Sequence, residues 1–262
     1  MASAFSVSRL SSFDQCRLQY KFRYIDRVPS AVETVEAFMG SRVHEALQAF
    51  YERIKLGKVE SREWLEGEYD RLWQKKAPAG LKVVKSGRTA ADYRESGRKY
   101  LGDYYQTYHP FDRTKVVKTE ERIEFMVRHA GREYRFSGIL DRLDWNEAEG
   151  LYEIHDYKTS SALPSQEDLD DDPQLGIYHL AVRSWQPEAR EVKLVWHYLA
   201  FNTELESRRS AEALEELERR TVDRIEAVEA CRDFPPNKST LCGWCGYQPL
   251  CPEWTEPPPD GV

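Results

Sequence analysis

Apolar positions recur every three to four residues over 35–56, where Val43, Ala46, Leu47, Phe50 and Ile54 would line one face of a helix. Two further helices are predicted over 62–75 and 90–108. Ahead of them, Phe13, Cys16 and Leu18 would lie on a first helix capped by Ser8 or Ser11. The period then changes. Ile123, Phe125 and Val127 alternate with polar residues, Ala130-Gly131 supplies a turn, and Tyr134 and Phe136 open a second run that reaches Trp145. A turn over 146–150 leads into a third run, 152–157. These predict three consecutive antiparallel strands. A helix over 173–185 follows, with Pro173 in its first turn. A strand over 191–200, a long helix over 211–232 and a tail rich in proline and cysteine complete the chain. No internal repeat is visible, and no GxxxxGKS/T phosphate loop, so no ATPase motor is encoded.

Composition narrows the class. The 262 residues are 40% hydrophobic, enough for a sizeable core. The expectation is a single domain over 1–255: a helical part (1–112), an α/β core (113–232) and a cysteine-bearing tail (233–255), with 256–262 disordered. No stretch approaches the roughly 20 apolar residues of a membrane helix. The opening MASAFSVSRLSSFDQC lacks the apolar run of a signal peptide, so a cytoplasmic location is expected. A net charge of −7 weighs against a nucleic-acid partner. Metal-binding carboxylates count in that sum, however, and local basic patches can coexist with an acidic total.

Candidate chemistry gathers on the hairpin. In an antiparallel pair the numbers of opposed residues sum to a constant. If Asn146 faces Leu151 across the turn, Asp141 faces Asp156, with Cβ atoms about 5 Å apart. Lys158 follows Asp156 by two residues and shares its face. Opposed like charges destabilise a ladder, and a divalent cation such as magnesium or manganese would compensate them through oxygen ligands. A solvated sheet face studded with charge explains the same residues. His44 near the start of the second helix would add a nitrogen ligand, which suits manganese, or is an ordinary surface or core histidine. Gln174 and Tyr178 are four apart on one helix face.

The five cysteines are Cys16, Cys231, Cys242, Cys245 and Cys251. Clustered cysteines in a cytosolic chain favour metal over disulfides. Cys242, Cys245 and Cys251 form Cys-x2-Cys-x5-Cys, and Cys16 would make four thiolates for zinc or an iron–sulfur cluster. Spacing does not choose between them. Cys231, in the predicted 211–232 helix, is the spare. A link between the first helix and the tail would contribute about 4–5 kcal/mol if it acted like a disulfide. Near Cys16, Arg17, Lys21 and Arg23 interleave with Tyr20, Phe22 and Tyr24. That composition suits single-stranded DNA, or equally a core of aromatics with solvated charges. The acidic run 167–172 is expected to face solvent or repel DNA.

The ordered set GxxxH (40–44), GxxD (138–141), DxK (156–158) and QxxxY (174–178) resembles the RecB-type branch of the PD-(D/E)XK nuclease superfamily. The opening SxxSSFDQCRLQYKFRY is similar to the cysteine-bearing start of members that hold a cluster. Relatives include nuclease domains of AddB-type repair proteins and CRISPR-associated RecB-like exonucleases. The resemblance spans 8–251. It implies a restriction-endonuclease-like α/β fold: a mixed sheet flanked by helices, with an N-terminal helical addition and a C-terminal cysteine-rich tail.

The resemblance also implies roles. His44, Asp141 and Asp156 would hold magnesium or manganese with the carbonyl of Tyr157. Lys158 would position water and stabilise charge at the phosphate. Gln174 and Tyr178 would orient the lysine or contact DNA, and Glu120 is an outside candidate. Cys16, Cys242, Cys245 and Cys251 would hold a 4Fe–4S cluster, with zinc as the alternative. The implied activity is a metal-dependent deoxyribonuclease, an exonuclease preferring single strands or free ends, in repair, recombination or CRISPR-type processing. A helicase or CRISPR adaptation protein is the kind of partner such enzymes have. The alternative is a catalytically inactive relative that binds DNA or scaffolds.

Overall fold

A computed structural model describes residues 4–30, 32–186, 189 and 191–254. The expected disordered end, 256–262, lies outside the described residues. Helices α1 (Val7–Gln15), α2 (Arg17–Tyr20), α3 (Val35–Lys55), α4 (Arg62–Lys76) and α5 (Ala90–Tyr108) precede the strands β1 (Lys115–His129), β2 (Arg132–Asn146) and β3 (Leu151–Lys158). Helices α6 (Gln166–Asp171) and α7 (Pro173–Trp185), strands β4 (Val192–Tyr198) and β5 (Thr203–Arg208), and helix α8 (Ala211–Ala230) follow.

Local chemistry starts these helices where the periodicity begins. Thr34, Ser61 and Ser210 accept backbone N–H groups at the heads of α3, α4 and α8, satisfying donors that a helix leaves orphaned. Thr89 and Asp92 form a reciprocal capping box on α5. Asp172 caps α7 ahead of Pro173. The acidic run therefore builds α6 and the cap of α7, and Glu167, Asp168, Asp170 and Asp171 are exposed.

The sheet order is β1-β2-β3-β4-β5. Among the described strands only β3 and β4 pair in parallel, and α6 and α7 make the crossover between them. Ile154 and Trp196 join α1, α7 and α8 in one apolar cluster, with Leu10, Leu175 and Ile225. Tyr157 joins the other, with Val43, Leu47, Leu65 and Leu101 of α3, α4 and α5. Successive strand residues face opposite sides, so the two clusters pack the two faces of the sheet. This is the mixed α/β architecture with a helical N-terminal part that was expected.

Three expectations change. The cap of α1 is Ser6, not Ser8 or Ser11, and the first helix is interrupted at Cys16, whose φ of −161° is extended. The chain resumes as α2 and a π-type turn over Lys21–Ile25. Strand β4 stops at Tyr198, and β5 follows without having been foreseen. Its sequence Thr-Glu-Leu-Glu-Ser-Arg carries one apolar residue, as befits a charged edge strand. Helix α8 ends at Ala230, so Cys231 lies just beyond it as its C-cap.

Candidate active site and cysteine pocket

The hairpin register carries Asn146 opposite Leu151 and Arg142 opposite His155, and the ladder stops there. One step further, Asp141 turns its carboxylate to accept the N–H of Tyr157 at 2.9 Å. On its other side β2 pairs with β1, Thr119 with Arg142 and Glu121 with Leu140. Glu120 falls between those pairs at a φ of 44°. A non-glycine residue in that region is strained, a condition that persists where the surroundings enforce it.

Helix α3 brings His44 to the same spot. Its Nε2 donates to the carbonyl of Tyr157 at 2.8 Å. Its Nδ1 lies 3.4 Å from Asp141 Oδ2 and 3.6 Å from Glu120 Oε1. These three residues offer ligand atoms within 4.8 Å of one another, a spacing that could hold a metal ion. Burial opposes a charge on His44, but Asp141 and Glu120 outweigh it and hold the imidazole well above its ordinary pKa. The close approach of α3 depends on Gly40, where a Cβ would stand 3.1 Å from Thr159 Oγ1 just past β3.

Asp156 and Lys158 form the adjoining half. Lys158 Nζ lies 2.6 Å from Asp156 Oδ2 and donates to Gln174 Oε1 at 2.8 Å. Gln174 Nε2 in turn donates to Asp156 Oδ1 at 2.8 Å. Asp156 is 2% exposed. Burial raises its pKa, opposed by Lys158 and reinforced by the charge of Asp141. For Lys158, burial disfavours the charge, but Asp156 and Asp141 prevail and keep the ammonium protonated. Tyr178 packs against Gly138, where a Cβ would come within 2.5 Å of its ring. Burial and the two aspartates push its phenol up to about 12, so it remains a neutral hydroxyl.

The structure thus brings His44, Asp141, Asp156, Tyr157, Lys158, Gln174 and Tyr178 into one neighbourhood. Asp156 sits beside the three-residue ligand group with both oxygens engaged by Lys158 and Gln174. Glu120 enters that group directly. No residue pattern marks it, because its position depends on a positive φ within a strand.

The structure places four of the cysteines together and the fifth apart. Cys16, Cys242, Cys245 and Cys251 line one cavity of about 40 Å³. The N–H of Asn237 points at Cys16 Sγ at 3.4 Å, and that of Ser239 at Cys242 Sγ at 3.3 Å. Burial raises the Cys245 thiol, and the neighbouring Cys16, Cys242 and Cys251 add to it. Cys231 donates to the Asp233 carbonyl at 2.9 Å and packs against the sheet cluster instead.

The N-terminal basic and aromatic residues are largely spoken for. Tyr20 is 1% exposed and its hydroxyl accepts from Arg9. Lys21 pairs with Asp26, Arg17 lies over the Phe13 ring and Arg23 over Tyr24. Among the described helices none is long and apolar enough to cross a membrane.

Residues 4–252 match the profile of the PD-(D/E)XK nuclease superfamily. No curated protein matches the chain. Among solved structures, SSO0001 is 18% identical with a TM-score of 0.39, covering 83% of this chain and 95% of that one. A protein from Eubacterium rectale described as a candidate exonuclease is 13% identical with a TM-score of 0.49, covering 92% of this chain and 86% of its own.

Proposed function

Because the chain belongs to the PD-(D/E)XK nuclease superfamily, we propose that it hydrolyses phosphodiester bonds in DNA with magnesium or manganese as cofactor. One observation carries this reading. The His44–Glu120–Asp141 ligand group and the Asp156–Lys158–Gln174 triad lie side by side, joined through Tyr157. One imidazole and two carboxylates suit manganese at least as well as magnesium. Asp156 is the adjacent carboxylate, and the Tyr157 carbonyl is a further donor.

When bound, such a cation makes water a better nucleophile at neutral pH and offsets charge building on the phosphate. His44, Glu120 and Asp141 would hold it. Lys158 is charged and fixed on two sides, by Asp156 and Gln174. A fixed ammonium stabilises phosphate charge without reorganising during the reaction. Gln174 ties the lysine to the buried carboxylate, and Tyr178 offers a neutral hydroxyl beside them. No covalent enzyme intermediate is required.

The finer reading is a RecB-type exonuclease acting on single strands or frayed ends in repair, recombination or CRISPR-type processing. Two glycines of the four-motif order support it, since Gly40 and Gly138 each permit an approach that the site requires. The four gathered cysteines support a structural 4Fe–4S cluster. Tetrahedral zinc on the same four thiolates is the alternative. Backbone N–H groups aimed at Cys16 and Cys242 are the hydrogen bonds that tune cluster sulfurs. Thiols kept for metal fit a reducing, cytoplasmic compartment.

The activity is tested on end-labelled single-stranded and blunt duplex DNA. Cleavage should need added manganese or magnesium, run faster on the single strand and fall with salt. DNA left intact under every cation overturns the reading. The cluster is tested by metal analysis after anaerobic purification. A brown protein with about four irons per chain is expected, and serine at Cys16, but not at Cys231, should lower that content. A colourless protein with one zinc contradicts the cluster.

A further inference from the structure

Beside Lys158 a cleft of about 510 Å³ opens between the helical part and the cysteine tail. Tyr157 and Lys158 line it, and so does Trp244. Trp244 lies between Cys242 and Cys245 and is 38% exposed, unusual for the largest apolar side chain. The tail is seated firmly there. A Cβ at Gly243 would stand 3.3 Å from Val84 Cγ1, and Gln248 accepts a hydrogen bond from Lys82 at 2.5 Å. The segment that seats the tail also carries Lys85 and Arg88 into the cleft.

Among the described residues neither cation is held in an ion pair, although Arg88 is near enough to act on the Asp92 carboxylate. Lys85 is exposed, and its Nζ reaches the hydroxyl of Ser161 at 3.4 Å. Arg88 lies 4.1 Å over the Tyr93 ring and donates to Ser96 and the Asp92 carbonyl. Among the described residues no carboxylate lies within 4.0 Å of either, in a chain where most arginines and lysines are paired. The acid of the cleft, Glu36, accepts from the Tyr93 hydroxyl at 2.7 Å. The N-terminal basic–aromatic segment offers the opposite case, with its tyrosine buried and its lysine paired.

An exposed indole, two cations outside any ion pair and a lysine of the triad share one open cleft. We infer that the cleft holds an unpaired nucleic-acid segment next to the scissile phosphate. A base stacks on Trp244, and the backbone passes Lys85 and Arg88 on its way to Lys158. Stacking needs a free base face, which a paired duplex does not offer, so the cleft selects single strands without reading sequence. The cysteine tail would then do more than join the first helix to the tail: a metal held by Cys242 and Cys245 would also fix the substrate-stacking residue between them. This inference rests on the nuclease reading and deepens it.

The test measures binding apart from cleavage. Fluorescence anisotropy with a labelled oligothymidylate, without added divalent cation, reports affinity of the metal-loaded protein. Trp244→Ala should weaken binding about tenfold, and Trp244→Phe should restore most of it. Lys85→Glu should weaken binding and reduce the salt slope by about one. Affinity for blunt duplex should not respond to Trp244→Ala. With manganese, Trp244→Ala should raise KM and leave kcat near wild type. Unchanged single-strand affinity in Trp244→Ala at full cysteine-bound metal overturns the inference, as does an equal loss on duplex. If Trp244→Ala sheds its metal, the other two variants decide, and wild-type affinity with an unchanged salt slope in Lys85→Glu is then contrary. A wild type that never cuts DNA removes the nuclease reading, and the same binding comparison still judges the stacking surface.

Discussion

Two glycines and one strained glutamate set the geometry of the site. Gly40 lets α3 reach the end of β3, and Gly138 makes room for the Tyr178 ring. Both were visible in the sequence as parts of short motifs, although their steric reason was not. Glu120 was only an outside candidate, because nothing in Lys-Thr-Glu-Glu announces a φ of 44°. The expected face-to-face pairing of Asp141 and Asp156 extended the hairpin register one step beyond the observed ladder, which ends at Arg142 and His155. Another single residue contributes to the behaviour in acid. His179 is 1% exposed, and its ring nitrogens have no hydrogen-bond partner among the described residues. Burial, then Arg183 and Arg209, lower its pKa from 6.5 to about 4. The unfolded chain therefore binds a proton that the folded chain refuses between those values. Stability attached to this group is complete above pH 6.5 and falls as pH drops toward 4, by about 3 kcal/mol in all. Denaturant titrations of wild type and His179→Phe should show the variant losing less stability over that window. Parallel pH profiles would contradict the assignment.

At the scale of elements, the helix over 35–56 was legible from its apolar stripe and that over 173–185 from the proline in its first turn. The caps Thr34, Thr89, Asp172 and Ser210 came to light only in the structure. The three consecutive strands were legible because alternation and the turns at 130–131 and 146–150 agreed. What stayed hidden depends on partners far away in sequence. The break at Cys16 follows the tail: Asn237 donates from its N–H to Cys16 Sγ and from its side chain to the Gln15 carbonyl at 3.0 Å. A first helix read in isolation has no reason to stop there. Strand β5 has no apolar stripe, and it pairs because β4 presents a free edge beside it. The basic–aromatic stretch after Cys16 illustrates the limit of composition. Its pattern was read evenly as DNA-binding or core, and the fold places Tyr20 inside.

Across the whole molecule, the net charge of −7 conceals a division of labour. Four acids are exposed along the crossover helix α6, while Lys85, Arg88 and Lys158 share one cleft. The end of the first helix and the tail over 236–254 meet around the cysteine cavity, which places the tail against the segment before α5 and Trp244 beside the site. In the proposed reaction His44, Glu120 and Asp141 hold a catalytic cation while Lys158 acts on the phosphate next to it. The most direct measurement pairs manganese titration calorimetry with single-strand cleavage at saturating manganese, for wild type, Asp141→Asn and Lys158→Met. Asp141→Asn should lose manganese binding and activity together. Lys158→Met should bind manganese as wild type does, yet cleave at least about a hundredfold more slowly. Cleavage by Lys158→Met at the wild-type rate, or undiminished manganese binding by Asp141→Asn, would contradict the account.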